Sequence, residues 1–490
     1  MSEKTLKNKN FEGTLTKFQE NMLIITVMLG CFISVLNMTN INIALPSLMT
    51  FFDTDMAMVQ WIVVSYMLAS GLIMPACGYL MDKFSCKNIF IVGVVLLAAA
   101  SALCAVAPTI ELMIAARVLQ GIAAGILMPV PGTLVYQFIP RERQLVTMSW
   151  VSMITSFGVA IGPSLAGIMV KYWGWKAIFW ANVPFLLLDL VLIFKFVPFK
   201  AFSSNQALDY IGLFAASAAT VALLFGFNQG SNLGWTSPAT LALLVGGALL
   251  LLYFVYHALR MEQPLLNFNV FRYRGFTYGF IFNTIQSIAT CIGPMFMALY
   301  LQNCMGLDAF HAGLAMFAPS MMMAFMAPVS AKGVEKFGYR AVIMGSMVLL
   351  CIATWQLTLF DVKTTLIGFT IWLSMRYIAL GIFMPPINNY AMMSVPVRIT
   401  SHASSMLAWA RQFISTVATS MFSLLYANNI IKYMTEGVAA GQGAEMQMRI
   451  IEGMAVSDVN FVSLIIMLIC APFIMLLKDS LIETGKEEVK

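Results

Sequence analysis

Four ionisable side chains lie inside long apolar runs, where a charge is costly and therefore informative: Arg117, Asp189, Arg376 and Arg411. On insertion scales a charged residue at the centre of an apolar helix costs roughly 2.5–3.5 kcal/mol unless it reaches water or a partner, so such residues turn towards cavities or polar networks. Asp189 is the one acid expected away from a loop, tail or helix end and so a candidate proton carrier, with Asp82, Asp308 and His311 as alternative proton sites at the membrane edges. Asp189 precedes Lys195 by six residues, about 9 Å at the helical rise of about 1.5 Å per residue, so pairing near an interface stands beside proton carriage. Arg117, with Gln120 a turn away, either faces a cavity as a functional group or only hydrogen-bonds helix carbonyls to fix packing. The same two readings hold for Arg376 and for Arg411 with Gln412.

Backbone motion is the second chemistry-bearing signal. Gly158-Val-Ala-Ile-Gly162-Pro163-Ser-Leu-Ala-Gly167 places glycines four and five residues apart, which lets another backbone approach, while Pro163 removes a helical hydrogen bond and permits a bend. These four residues, Gly158, Gly162, Pro163 and Gly167, are the expected hinge. Between two apolar runs, Gly78-Tyr-Leu-Met-Asp82-Lys83-Phe-Ser85-Cys-Lys87 carries an acid beside bases. Asp82 and Lys83 are the expected lock between helices, with Glu335 taking the acid's part later in the chain, although the lysines alone would also serve to set topology. Polar and aromatic residues inside apolar runs, Asn37, Asn40, Trp61, Tyr66, Asn283, Gln286, Trp409, Arg411 and Gln412, are the expected cavity wall. The amides among them equally suit bonds between helices.

The elements that position these residues follow from composition. Of 490 residues 60% are hydrophobic and only 10% charged, with mean hydropathy +0.84, whereas soluble domains average about 25% charged. The chain is therefore expected to be an all-α integral membrane protein. Its net charge of +6 is scattered in short clusters beside apolar runs, which indicates topology rather than a nucleic-acid groove. Eight cysteines without a C-x-x-C pair suggest neither a zinc site nor a disulfide framework, and no metal or other cofactor is expected. The polar, lysine-bearing start does not read as a signal peptide.

Fourteen runs reach the roughly twenty residues needed to cross a bilayer, from 22–45 to 458–478. With both termini cytoplasmic, 20 of the 28 basic residues fall on the inside, as the positive-inside rule requires. The longest outside loop, 428–457, is expected to hold a short surface helix. Internal repetition is visible: Ile126-Leu-Met128-Pro129 recurs as Ile382-Phe-Met384-Pro385 at an offset of 256, and Gly78–Lys87 recurs as Ala331–Arg340 at an offset of 253. The expected plan is a tail at 1–21, a six-helix bundle at 22–200, two extra helices at 201–260, a second six-helix bundle at 261–478 and a tail at 479–490.

In chain order, Leu36-Asn37-Met-Thr39-Asn-Ile-Asn42-Ile-Ala44-Leu45-Pro46, the Asp82 loop, Arg117-Val-Leu-Gln120-Gly121, the Gly158–Gly167 pattern and Trp175-Lys-Ala-Ile178-Phe179-Trp-Ala-Asn182-Val-Pro184 resemble the motifs of the major facilitator superfamily. The chain is similar to its fourteen-span drug:proton antiporters of the EmrB/QacA type, and to lincomycin-type exporters in having Asn37 where most relatives have aspartate. The resemblance implies the major facilitator fold and alternating access, with a proton gradient and no cofactor driving multidrug efflux of amphipathic or hydrophobic compounds. It also implies a role in antibiotic resistance, no enzyme activity, residence as a monomer in a bacterial cell membrane, and proton coupling or gating through Asp82, Lys83, Arg117, Gln120, Asp189 and Glu335. An exporter of a physiological anionic or lipid-like metabolite is the alternative, because arginines outnumber acids within the spans.

Overall fold

In hydrocarbon a segment must satisfy its own backbone hydrogen bonds, and a single apolar run does so as an α-helix. A computed structural model of the chain describes residues 15–200, 209–261, 264–362, 364–438 and 443–477, and no strand occurs among them. The tail 479–490 and most of the tail 1–21 lie outside the described residues. The first passage is α1 (Lys17–Thr39) continued by α2 (Ile41–Phe52) across Asn40. It is followed by α3 (Met56–Phe84), α4 (Cys86–Val106), the broken passage α5 (Ile110–Leu127) and α6 (Val130–Phe138), α7 (Arg141–Trp173), and a second broken passage, α8 (Lys176–Trp180) and α9 (Asn182–Phe196). The extra pair is α10 (Tyr210–Leu233) and α11 (Pro238–Arg260); the second half comprises α12 (Arg274–Ile292, continued through wide turns to Cys304), α13 (Ala309–Thr358), α14 (Leu366–Met393), α15 (Thr400–Thr435) and α16 (Ala444–Cys470).

Twelve described helices are long and apolar enough to cross a membrane. One of them, α13, turns at Gly338 and so makes two passages, and α15, less apolar, is long enough at 36 residues to make another, which gives fourteen. An even number returns the chain to the face from which it started; this is called the terminal face below. Helix starts are fixed locally: the side chains of Asp55, Thr109, Ser237 and Thr365 each accept the N–H three residues on, a cap worth typically about 1 kcal/mol.

The sequence repeat reappears as backbone geometry. The offset of 253 aligns Ser85 with Gly338, and the two share one conformation, φ 76 and ψ 139 against φ 78 and ψ 166. That conformation favours glycine; the serine at this turn is buried, and its Oγ accepts the Lys200 N–H at 3.2 Å. The offset of 256 aligns Gly125 with Gly381. A β-carbon at Gly125 would lie 2.5 Å from the Ser70 carbonyl oxygen, and one at Gly381 would lie 2.3 Å from the Met323 carbonyl oxygen. Ser70 and Met323 are themselves aligned by 253, so the same close crossing of helices occurs once in each half.

The region 428–457 differs from expectation. It is largely helix, with α15 running to Thr435 and α16 beginning at Ala444, because side chains across the pair hold the extension together: Asn429 Nδ2 and the Tyr433 hydroxyl donate to Asp458 Oδ2 at 2.8 and 2.5 Å, and the Tyr426 hydroxyl donates to Glu452 Oε2 at 3.3 Å. Asp458 and Glu452 therefore sit within a helix, and Asp189 is not alone among acids in doing so. The extra pair is anchored by Asp209, whose Oδ1 caps α10 through the Gly212 N–H at 2.7 Å and bonds His257 Nε2 at 2.9 Å.

Candidate functional site

A cavity opens between the two halves. Its wall is built by Val35 of α1, Met128 and Tyr136 of the broken fourth passage, Met148 of α7, Met384 and Asn388 of α14, and Arg411 of α15, with other residues of the same helices between them. The fourth passage breaks at Pro129 beside this space, and α14 remains a continuous helix although it holds Pro385 and Pro386. A smaller recess shares Met128 and is bounded by Tyr66 and Gln412. Of the residues expected at the cavity, Arg411 lines the main chamber and Tyr66 and Gln412 the recess. Asn283 stands one bond behind the wall, donating to Asn388 Oδ1 at 2.7 Å, and Gln286 is buried with its Oε1 unpartnered.

The other expected wall residues are placed elsewhere. Trp61 packs on Phe225 of α10 at 5.6 Å, and the Trp409 indole donates to Thr220 of α10 at 3.1 Å, so both indoles face the extra pair. Asn40 borders a separate apolar pocket among the first, fifth and sixth passages. Asn37 is buried in a polar network, its Oδ1 accepting from Asn182 Nδ2 at 3.0 Å and from Gln120 Nε2 at 3.4 Å.

That network is organised by Arg117, which has no exposed surface. Its Nε donates to the Ile62 carbonyl at 2.9 Å, its Nη1 to Gln120 Oε1 at 2.8 Å, and its guanidinium lies 4.2 Å from the Tyr66 ring centre. Gln120 in turn donates to Ser101 Oγ at 2.8 Å. Five passages are thereby tied together around a cation with no carboxylate beside it. Arg376, aligned with Gln120 by the repeat, is equally buried and donates to the Ala289 carbonyl at 2.9 Å. Asn182 and Ser101 belong to this network although sequence reasoning did not select them for it; Asn182 stood in a quoted motif, but nothing local marked its partner.

Asp189 is fully buried on α9, and neither carboxyl oxygen has a hydrogen-bond partner. It packs behind α1, where a β-carbon on Gly30 would lie 2.9 Å from Oδ2. Gly30 adjoins Cys31, which lines the cavity, so α1 alone separates this acid from the chamber. The glycine pattern of α7 faces the same helix. A β-carbon at Gly158 would meet Phe32 and Val35 at 3.2 Å, and one at Gly162 would meet Thr39 Oγ1 at 2.4 Å and Asn40 Oδ1 at 2.8 Å. The stripe continues through fully buried Ala166, four residues on, while Gly167 has nothing within 4 Å. Pro163 lies inside the helix.

At the terminal face the halves meet through Asp82, whose Oδ2 lies 3.3 Å from His402 Nε2 of α15. Gly78 permits this approach, since a β-carbon there would lie 2.9 Å from the His402 backbone. Lys83 Nζ donates instead to the Tyr79 hydroxyl at 2.9 Å, and Glu335 is exposed. Further bonds cross the same seam: Tyr136 hydroxyl to Asn389 Oδ1 at 2.8 Å, Ser404 Oγ to the Pro129 carbonyl at 2.6 Å, and Gln137 Nε2 to Ser401 Oγ at 3.2 Å. These bonds join the two halves at the terminal face. His402 was not selected by sequence reasoning; the polar run Ser401-His402-Ala403-Ser404-Ser405 opening an otherwise apolar passage was the available signal.

Replacing His402 with alanine leaves a buried carboxylate without its donor, a loss of about 1–3 kcal/mol. The expected result is opening of the seam, seen as a longer component in spin-label distances between Glu142→Cys and Lys336→Cys, with the closed-to-open ratio reduced about fivefold or more. An unchanged distance distribution would show that the seam does not depend on this pair.

Residues 27–419 match the family model described as Major Facilitator Superfamily. The chain is 29% identical over 426 residues to an uncharacterized MFS-type transporter, YhcA of Bacillus subtilis, covering 86% of this chain and 79% of the relative. It is 25% identical to the lincomycin resistance protein LmrB of Listeria monocytogenes, over 86% and 89% of the two chains, and 28% identical to the putative multidrug resistance protein MdtD of Pectobacterium atrosepticum, over 81% and 85%. Among solved structures the fold is similar to the human organic anion transporter MFSD10, with TM-score 0.62, 14% identity and coverage of 91% and 99%. The proton:xylose symporter XylE matches with TM-score 0.60, 14% identity and coverage of 92% and 95%. A family match across most of the chain, on fourteen passages in two repeated halves, is decisive: the chain belongs to the major facilitator superfamily, and is a membrane transporter rather than an enzyme.

Proposed function

We propose that the protein is a proton-coupled exporter of amphipathic and hydrophobic compounds that works by alternating access between halves at 22–200 and 261–478. The observation that carries this reading is the cavity between the halves, lined by methionines whose flexible thioethers repack around varied apolar bodies. The relatives named for lincomycin and multidrug resistance support it. Asp189, behind α1, is the proposed proton carrier, and no cofactor takes part; energy comes from the proton gradient acting on a monomer. The Asp82–His402 seam is the proposed gate on the cytoplasmic side, and the α7 stripe against α1 the hinge.

The test is substrate movement in proteoliposomes under an imposed pH gradient. Movement that stops when an ionophore collapses the gradient supports the proposal, and gradient-independent movement overturns the proton coupling. Orientation in the bacterial cell membrane is tested separately: an impermeant thiol reagent on whole cells should label Tyr172→Cys and spare Glu142→Cys, both exposed positions at opposite ends of α7. The reverse pattern would place both termini outside.

A further inference from the structure

The cavity wall carries one formal charge, and it is positive. Arg411 is half-buried with its remaining surface towards the chamber. Its Nη2 reaches Asn388 Oδ1 only at 3.4 Å, and that oxygen already accepts the shorter bond from Asn283 at 2.7 Å. The buried Nε of Arg411 has no acceptor, and among the described residues no carboxylate pairs with it.

Three neighbouring hydroxyls are already committed: Thr155 donates to the Val151 carbonyl at 3.1 Å, Ser404 to the Pro129 carbonyl at 2.6 Å and Tyr136 to Asn389 Oδ1 at 2.8 Å. The guanidinium is thus the wall's charged donor with unused capacity, planar and suited to two parallel bonds to an anionic head group. Around it Met128, Met148, Met384, Met392 and Leu407 form an apolar surface for the rest of a ligand. A cation partly removed from water without a counter-ion is unfavourable, and an entering anion offsets that cost where an ammonium would add repulsion.

We propose that Arg411 selects substrate by charge, and that the transported class is an amphiphile with an apolar body and a single anionic head, a carboxylate or sulfonate. This rests on the export reading above and narrows its substrate. Asn283 and Asn388 are positioning residues that hold the guanidinium towards the chamber.

The test uses three dansyl probes with one alkyl chain, ending in carboxylate, methyl ester or trimethylammonium. Each is measured for binding to the purified full-length protein and for pH-gradient-driven movement in proteoliposomes. The carboxylate is expected to bind about tenfold or more tightly than the other two, Arg411→Lys to keep that order, and Arg411→Gln to bring the three within about threefold. Equal binding of all probes to the unmodified protein, or a carboxylate preference that survives in Arg411→Gln, overturns the proposal. Should Arg411→Gln fail to fold, loss of the order in a folded Arg411→Lys overturns it and retention supports it. Selective binding of the carboxylate without gradient-driven movement overturns the export reading and supports the charge assignment; gradient-driven movement of all three alike does the reverse.

Discussion

Gly162→Leu is expected to abolish transport, while Gly167→Leu, five residues along the same helix, is expected to leave it intact. A first side-chain carbon at Gly162 already lies 2.4 Å from Thr39 Oγ1 and 2.8 Å from Asn40 Oδ1, distances at which these side chains or a helix must shift. Thr39 and Asn40 cannot retreat freely, because they sit at the break between α1 and α2, and overpacking such a contact costs typically about 1–3 kcal/mol before the three further carbons of leucine are counted. Gly158, with neighbours at 3.2 Å, should show an intermediate loss, and Gly167, with open space around it, little. The order of effect, 162 above 158 above 167, is read as transport per folded protein, with size-exclusion profiles showing what is folded. Equal tolerance at 162 and 167 would remove the stripe from the mechanism. An accompanying loss in Ala166→Leu is expected, because that residue and not Gly167 continues the buried face, in one cluster with Ile41 and Ala44 of α2.

This ordering also shows which features were legible in the sequence. Run length and repeat offset are properties of the chain in one dimension, so fourteen passages, the doubled halves and the matched turns at Ser85 and Gly338 follow from them. Helix rotation is another matter. A membrane helix is apolar on most faces, towards lipid and neighbour alike, so no amphipathic stripe reports which side of α3 or α15 meets the cavity. Trp61 and Trp409 were therefore expected at the chamber but face α10, whereas Asn388, in the same wall as Arg411, was not selected and Met384 was noted only for the repeat. The glycine spacing contained more information than was taken from it: positions 158, 162 and 166 repeat every four residues and share a face, and 167 does not. Partners across the halves, such as His402 for Asp82, have no periodic signature at all; only the fold brings residues 320 positions apart to 3.3 Å. The same holds for Arg117, whose burial and neighbour Gln120 were foreseeable but whose partners Ile62 and Asn37 lie on two other passages.

Asp189→Asn is expected to reduce pH-gradient-driven transport about tenfold or more, while folded yield stays equal or rises and substrate exchange without a gradient persists. The argument starts from two oxygens with no donor in a fully buried site. An ion held there would cost several kcal/mol, since nothing in its surroundings replaces water or supplies a counter-charge. Ionisation is therefore tied to a rearrangement that brings water or a donor to the carboxyl group, and α1 is the element in the way, with Gly30 against Oδ2 and Cys31 on the cavity wall. On the proposed reading, in which Asp189 carries the proton, its release and the movement of α1 accompany one another and link gradient to substrate. The amide keeps the shape and removes the proton exchange, so folding is spared and coupling is lost. Gly30→Ala probes the same contact from the other side: its added carbon presses on the carboxyl group and on Phe90 at 3.0 Å, and it should weaken coupling several-fold without touching the cavity charge at Arg411. Full gradient-driven transport by a well-folded Asp189→Asn variant at several pH values would show that the proton travels by another route.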